Sequence, residues 1–146
     1  MKNLLSILLV SIILMGCSEK RVIQEELTNA TQGMGEYSDL MYYEDGLFTG
    51  VGYDVYPDGQ LEFEFNYKNG KQDGLQKRWY ENGKLRAEGN FKDGKQDGLQ
   101  KAWFENGQLR AEGNFKDGKQ DGLERRYEPN GMLLSEKVWK DGKRID

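Results

Sequence analysis

The sequence predicts an all-β fold: a repeat array of antiparallel β-hairpins forming one elongated, curved meander sheet, preceded by a cleaved N-terminal signal helix. Three observations carry that prediction. They are a fixed 24-residue period, turn-forming pairs inside each period, and apolar–polar alternation between the turns. Residues 69–92 (NGKQDGLQKRWYENGKLRAEGNFK) and 93–116 (DGKQDGLQKAWFENGQLRAEGNFK) agree at 20 of 24 positions, and residues 117–140 keep 12 of 24. A constant period marks an array whose units pack on their neighbours and act through an extended surface.

The first segment, residues 1–16, reads as a signal peptide. Lys2 gives a positive start, and Leu4 to Leu14 form an apolar run interrupted by Ser6 and Ser11. Spanning a bilayer as a helix takes about 20 apolar residues, and this run is far shorter, as in a secretory signal. It ends in Leu14-Met15-Gly16-Cys17, which resembles a bacterial lipobox. That resemblance implies cleavage before Cys17 and acylation of its thiol. Ser18 follows, with no aspartate in its place, so the implied address is the outer membrane if the cell is Gram-negative. Cys17 is also the sole cysteine, which excludes a disulfide framework within the chain.

Residues 17–39 lack the repeat and read as a lipidated tether. Removing residues 1–16 leaves 20 basic against 25 acidic side chains, a net charge of −5. Such a balance disfavours nucleic acid and electrostatic docking on anionic lipid, both of which rely on clustered Lys and Arg. Membrane attachment then falls to the acyl chains.

From residue 40 to residue 146 the array supplies about four repeats and a C-terminal half-repeat. Gly46, Gly70, Gly94, Gly118 and Gly142 form one register, and Gly59, Gly83, Gly107 and Gly131 a second, each preceded by Asp or Asn. Asp-Gly and Asn-Gly suit type I′ turns, where both central residues need positive φ. Turns therefore recur at alternating spacings of 11 and 13 residues, leaving eight or nine per strand. A two-residue turn at Asn82-Gly83 pairs Tyr80 with Leu85, Trp79 with Arg86 and Lys77 with Glu88. The next, at Asp93-Gly94, sets Leu85 opposite Ala102. On this register Leu85, Ala87, Phe91, Tyr80 and Phe104 share one face. Trp79, Trp103, Leu75 and Leu99 share the other, among charges. Gly89, Gly98 and Gly113 permit close backbone approach or a strong bend.

The string DGKQDGLQKAWFENGQLRAEGNF, together with Leu47-Phe48-Thr49-Gly50, resembles the MORN-variant repeat of bacterial antitoxin-type proteins. The resemblance spans residues 40–146. It implies a curved antiparallel sheet of stacked hairpins, and in some members an antitoxin role.

Candidate chemistry is sparse. There is no histidine, so zinc sites and Ser-His-Asp or Cys-His catalysis are excluded. Recurrent carboxylates such as Glu88 and Glu112 follow from repetition. The stretch Asp93-Gly94-Lys95-Gln96-Asp97-Gly98 resembles a calcium loop, but Lys95 and Phe104 stand where ligands belong. What recurs is Trp79, Trp103 and Tyr127 at 24-residue steps, beside Arg86 and Arg110. These five are the candidate binding residues: either an inter-repeat packing ladder or an exposed aromatic stripe that binds a protein or glycan.

The resulting expectation is a non-enzymatic, membrane-anchored lipoprotein that binds a protein partner in the cell envelope, with no metal, nucleic acid or cofactor. Two alternatives are an antitoxin or immunity protein neutralising a cognate toxin and a structural spacer.

Overall fold

The computed structural model describes residues 21–23, 28–29, 41–43 and 46–146. Its strands are β1 (Arg21–Ile23), β2 (Thr28–Asn29), β3 (Met41–Tyr43), β4 (Gly46–Leu47), β5 (Gly50–Val55), β6 (Leu61–Lys68), β7 (Lys71–Trp79), β8 (Leu85–Lys92), β9 (Lys95–Trp103), β10 (Leu109–Lys116), β11 (Lys119–Tyr127), β12 (Leu133–Lys140) and β13 (Lys143–Arg144). Strands β5 to β13 pair antiparallel in chain order, as the meander requires, and β1 joins the outer side of β5 in parallel. Strands β2, β3 and β4 form a separate three-stranded sheet. No helix occurs among the described residues. The signal segment 1–16 and Cys17 lie outside the described residues. Within the 17–39 segment the structure places β1 and β2, with Arg21, Val22 and Ile23 opposite Val51, Gly52 and Tyr53.

The turns divide into two kinds, where the sequence pattern suggests one. Asn69, Asp93, Asp117 and Asp141 all have φ near +50°, and the glycines after them are also positive, giving the expected I′ turns. Asp58, Asn82, Asn106 and Asn130 do not share that backbone; only their glycines are left-handed. There the Gly83 amide donates to Tyr80 O (2.8 Å) and the Tyr80 amide to Lys84 O (2.8 Å). The loop is thus a type I turn closed by a left-handed glycine, with three residues rather than two. Asn82 Oδ1 accepts the Lys84 amide at 3.0 Å, and Asn106 and Asn130 repeat the contact. Pro57 and Pro129 occupy the second turn position, where a fixed φ suits a type I turn.

This loop corrects the expected register near it. Trp79 stands opposite Leu85, not Arg86, and Arg86 is the extra residue of a bulge. Beyond the bulge the two offsets cancel, so Lys77 does face Glu88. Directly opposed residues share a face, and neighbours along a strand do not. Leu85 therefore sits with Trp79, on the opposite face from Ala87. Ala102 pairs with Ala87 instead of Leu85. The cause is a second bulge: residues 97–99 oppose Asn90 alone, and Gly98 takes φ +101° within it. The Gln100 amide braces this bulge by donating to Asn90 O at 2.8 Å, and Gln76 does the same to Asn66 O at 2.9 Å.

Buried apolar side chains gather at the first hairpin. Phe48, Phe65 and Tyr67 form one cluster, with Phe63 packed against it. The later repeats are held by repetition. The tight-turn amides of Gly94, Gly118 and Gly142 donate to the carbonyls of Gln72, Gln96 and Gln120, each at 2.8 Å. The amides of Asp93 and Asp117 reach Asp73 and Asp97 Oδ2 at 3.3 Å.

Candidate functional site

The two faces of the sheet carry different chemistry. One bears a trough of about 710 Å³, lined among others by Phe65, Phe91, Phe115, Ala87, Ala102 and Ala111. Its floor is the row Gln76, Gly89, Gln100, Gly113, Glu124, in which each member opposes the next. Gln76 is 5% exposed and Glu124 6%. A Cβ on Gly89 would lie 1.6 Å from Gln100 Oε1, so the glutamine amide fills the space a side chain would need. Among the described residues Gln76 Oε1 is buried without a hydrogen-bond partner. Glu124 replaces the glutamine of the earlier repeats and accepts from Arg126 Nε (2.6 Å) and Trp139 Nε1 (2.8 Å). Burial alone would raise its pKa, but those two hydrogen bonds and the Arg126 charge outweigh it and hold the carboxyl below its ordinary value.

The opposite face carries a charge ladder that crosses seven strands. Glu64 opposes Lys77, Lys77 opposes Glu88, Glu88 opposes Lys101, Lys101 opposes Glu112, Glu112 opposes Arg125, and Arg125 opposes Glu136. The sign alternates at every strand. At the C-terminal end the rungs touch: Arg125 Nε lies 2.8 Å from Glu136 and Nη1 3.6 Å from Glu112. Among the described residues Lys77, Glu88 and Lys101 form no such ion pair.

Beside the ladder, on the same face, runs an apolar row. Trp79 opposes Leu85, Trp103 opposes Leu109, and Tyr127 opposes Leu133. Both tryptophans and Tyr127 are half-buried. Two strands separate consecutive aromatics, about 9.5 Å at the usual strand spacing, so leucines fill the intervals. The Tyr127 hydroxyl meets Glu112 Oε1 at 3.2 Å. Burial first, then the Glu112 charge, pushes that hydroxyl's pKa up.

The two arginines of the expected set take different positions. Arg86, exposed, lies over the Tyr80 ring at 5.7 Å rather than over a tryptophan. Arg110 borders the trough. Trp79, Trp103 and Tyr127 are thus brought together in one row, while the arginines belong to the bulges between. The sequence reading saw the Lys77–Glu88 pair but missed the full ladder. Its signal was present: Lys77 and Lys101, like Glu88 and Glu112, recur at the 24-residue step. Among the described residues no group of His, Cys, Asp or Glu is arranged to hold a metal ion, and no helix is long and apolar enough to cross a membrane.

Comparison with known families finds four consecutive matches to the MORN repeat variant, at residues 48–69, 72–93, 96–117 and 120–141. Each match covers one hairpin with its three-residue loop and ends on the first residue of a tight turn. No curated protein and no solved structure matches the chain.

Proposed function

Because the chain belongs to the MORN repeat variant family, we propose that it is a non-catalytic protein-binding module; the lipobox-like Leu14-Met15-Gly16-Cys17 supports its attachment to the bacterial envelope through an acylated Cys17. The observation that carries the binding role is the row of Trp79, Trp103 and Tyr127, half-buried together on one face of the sheet. Large aromatic side chains on a preformed surface supply contact area with little loss of side-chain freedom. Arg86 and Arg110, the extra residues of two of the hairpin bulges, add adaptable polar contacts at the border. An antitoxin or immunity role would use this surface and differ in its partner.

Two measurements test the reading. Mass spectrometry of the detergent-extracted chain should show residues 1–16 removed and acyl chains on Cys17; an unmodified Cys17 thiol would remove the lipid anchor from the account. A detergent-extracted pull-down should lose its stoichiometric partner in Trp103→Ala and weaken in Arg86→Ala. Retention of every partner by both variants would exclude the aromatic row as the binding surface.

A further inference from the structure

We propose that the ladder face associates with a second copy of this chain, around a two-fold axis running along the strands between β8 and β9. The inference rests on the reading of the aromatic-bearing face as a protein-binding surface and names its partner.

A ladder that alternates sign at every strand has a step of about 4.8 Å. Matching it rung for rung takes another surface with the same step and opposite phase. The Glu64-to-Glu136 ladder of a second copy is such a surface. A two-fold axis on a single strand would oppose like charges. An axis between β8 and β9 sets β8 against β9 and β7 against β10 of the other copy. Glu88 then faces Lys101 of the second copy, and Lys77 faces its Glu112, each pair occurring twice. The same operation sets Leu85 against Trp103 and Trp79 against Leu109, so large meets small along the apolar row. Both rows are matched by one closed, isologous arrangement.

The two rungs that flank the axis, Glu88 and Lys101, are left open. Lys77, Glu88 and Lys101 have no ion pair within the chain among the described residues, while Arg125 already holds Glu112 and Glu136. Leu75 and Leu99, on the other side of the ladder, are 37% and 38% exposed. The apolar rows supply the contact area and the ladder selects the phase, since like charges brought together disfavour other alignments.

Sedimentation equilibrium of the full chain tests this, with circular dichroism to confirm folding. The expected result is a monomer–dimer equilibrium that weakens as salt rises. The variant Lys77→Glu with Lys101→Glu should associate about tenfold more weakly or not at all, and so should Glu88→Lys with Glu112→Lys. An equimolar mixture of the two should recover a heterodimer, because each then offers the charge the other lacks. A wild-type chain that stays monomeric, or charge variants that still self-associate, would overturn the proposal, and so would a mixture of folded variants that fails to pair. A monomeric wild type that still captures a stoichiometric partner through Trp103 leaves the protein-binding reading intact. If a charge variant fails to fold, mixing chains carrying Lys77→Cys with chains carrying Glu112→Cys under mild oxidant replaces it. Each chain carries one of these two cysteines, so a disulfide joining them must link two copies. Its absence would also overturn the proposal.

Discussion

The hydroxyl of Tyr80 donates to the backbone carbonyl of Trp103 at 2.7 Å, tying the loop of one hairpin to the strand end of the next. Tyr56 makes the same bond to the Trp79 carbonyl at 2.9 Å. The third position of this series is Phe104, which has no hydroxyl to offer Tyr127. A hydrogen bond of this kind contributes about 0.5–1.5 kcal/mol. Tyr80→Phe should therefore destabilise the fold by about 1 kcal/mol, and Phe104→Tyr should leave it unchanged or stabilise it by up to that amount. Urea denaturation of both variants checks the pair, and a loss of stability in Phe104→Tyr would contradict the account.

Two glycines in the trough floor should respond differently to the same substitution. A Cβ on Gly89 would displace the Gln100 amide and its bond to the Asn90 carbonyl. On Gly113 the nearest atoms lie at 3.8 Å, ordinary contact distance. Gly89→Ala should cost about 1–2 kcal/mol, and Gly113→Ala close to nothing. Thermal melts of the two single variants decide the matter, and equal losses would refute it.

Glu124 makes stability depend on pH. Its carboxyl is held below its ordinary value in the folded chain, so its stabilising effect is complete above the unfolded-state pKa and is lost as pH falls through the folded one. Unfolding midpoints should therefore drop with acidification through and below the ordinary carboxylate range. Glu124→Gln, which restores the residue found at positions 76 and 100, should flatten that part of the profile. An unchanged profile would assign the acid sensitivity to other carboxylates.

Excision of residues 93–116 should leave a folded, shorter array. The cut removes one hairpin and one tight turn and rejoins Lys92 to Asp117, which stands where Asp93 stood. Because each repeat leans on its neighbours, stability should fall without loss of cooperative folding. Far-ultraviolet circular dichroism and a single melting transition are the expected signature.

Much of the fold was legible, and the reason lies in local chemistry. Asp93-Gly94 suits its turn, because few other residue pairs accept two left-handed conformations in succession. Strands β6 to β12 have the expected eight or nine residues for the same reason. Asn82-Gly83 is the same dipeptide as the tight-turn pair Asn69-Gly70, yet the Asn82 side chain caps the Lys84 amide and draws in a third loop residue. That single residue moved Leu85 to the tryptophan face. The bulge at residues 97–99 depends on Asn90 across the sheet and on the Gln100 amide, and spacing along one strand cannot report a partner on another. For the candidate site, the aromatic row was readable from its period. The charge ladder required the register, which follows from turns and bulges together.

If Cys17 carries the proposed acyl chains, the pairing of β1 with β5 would set the array's height above the membrane. Arg21 follows Cys17 by four residues, a reach of at most about 14 Å. With Cys17 embedded through its acyl chains, β1 would hold the first hairpin close above the lipid surface. The last full strand, β12, lies seven strand spacings further, about 34 Å along the sheet. The array would then be a mast stepped at its foot. What meets the bilayer would be the Phe48 cluster and its hairpin, while the repeats that most resemble one another stand clear of the headgroups.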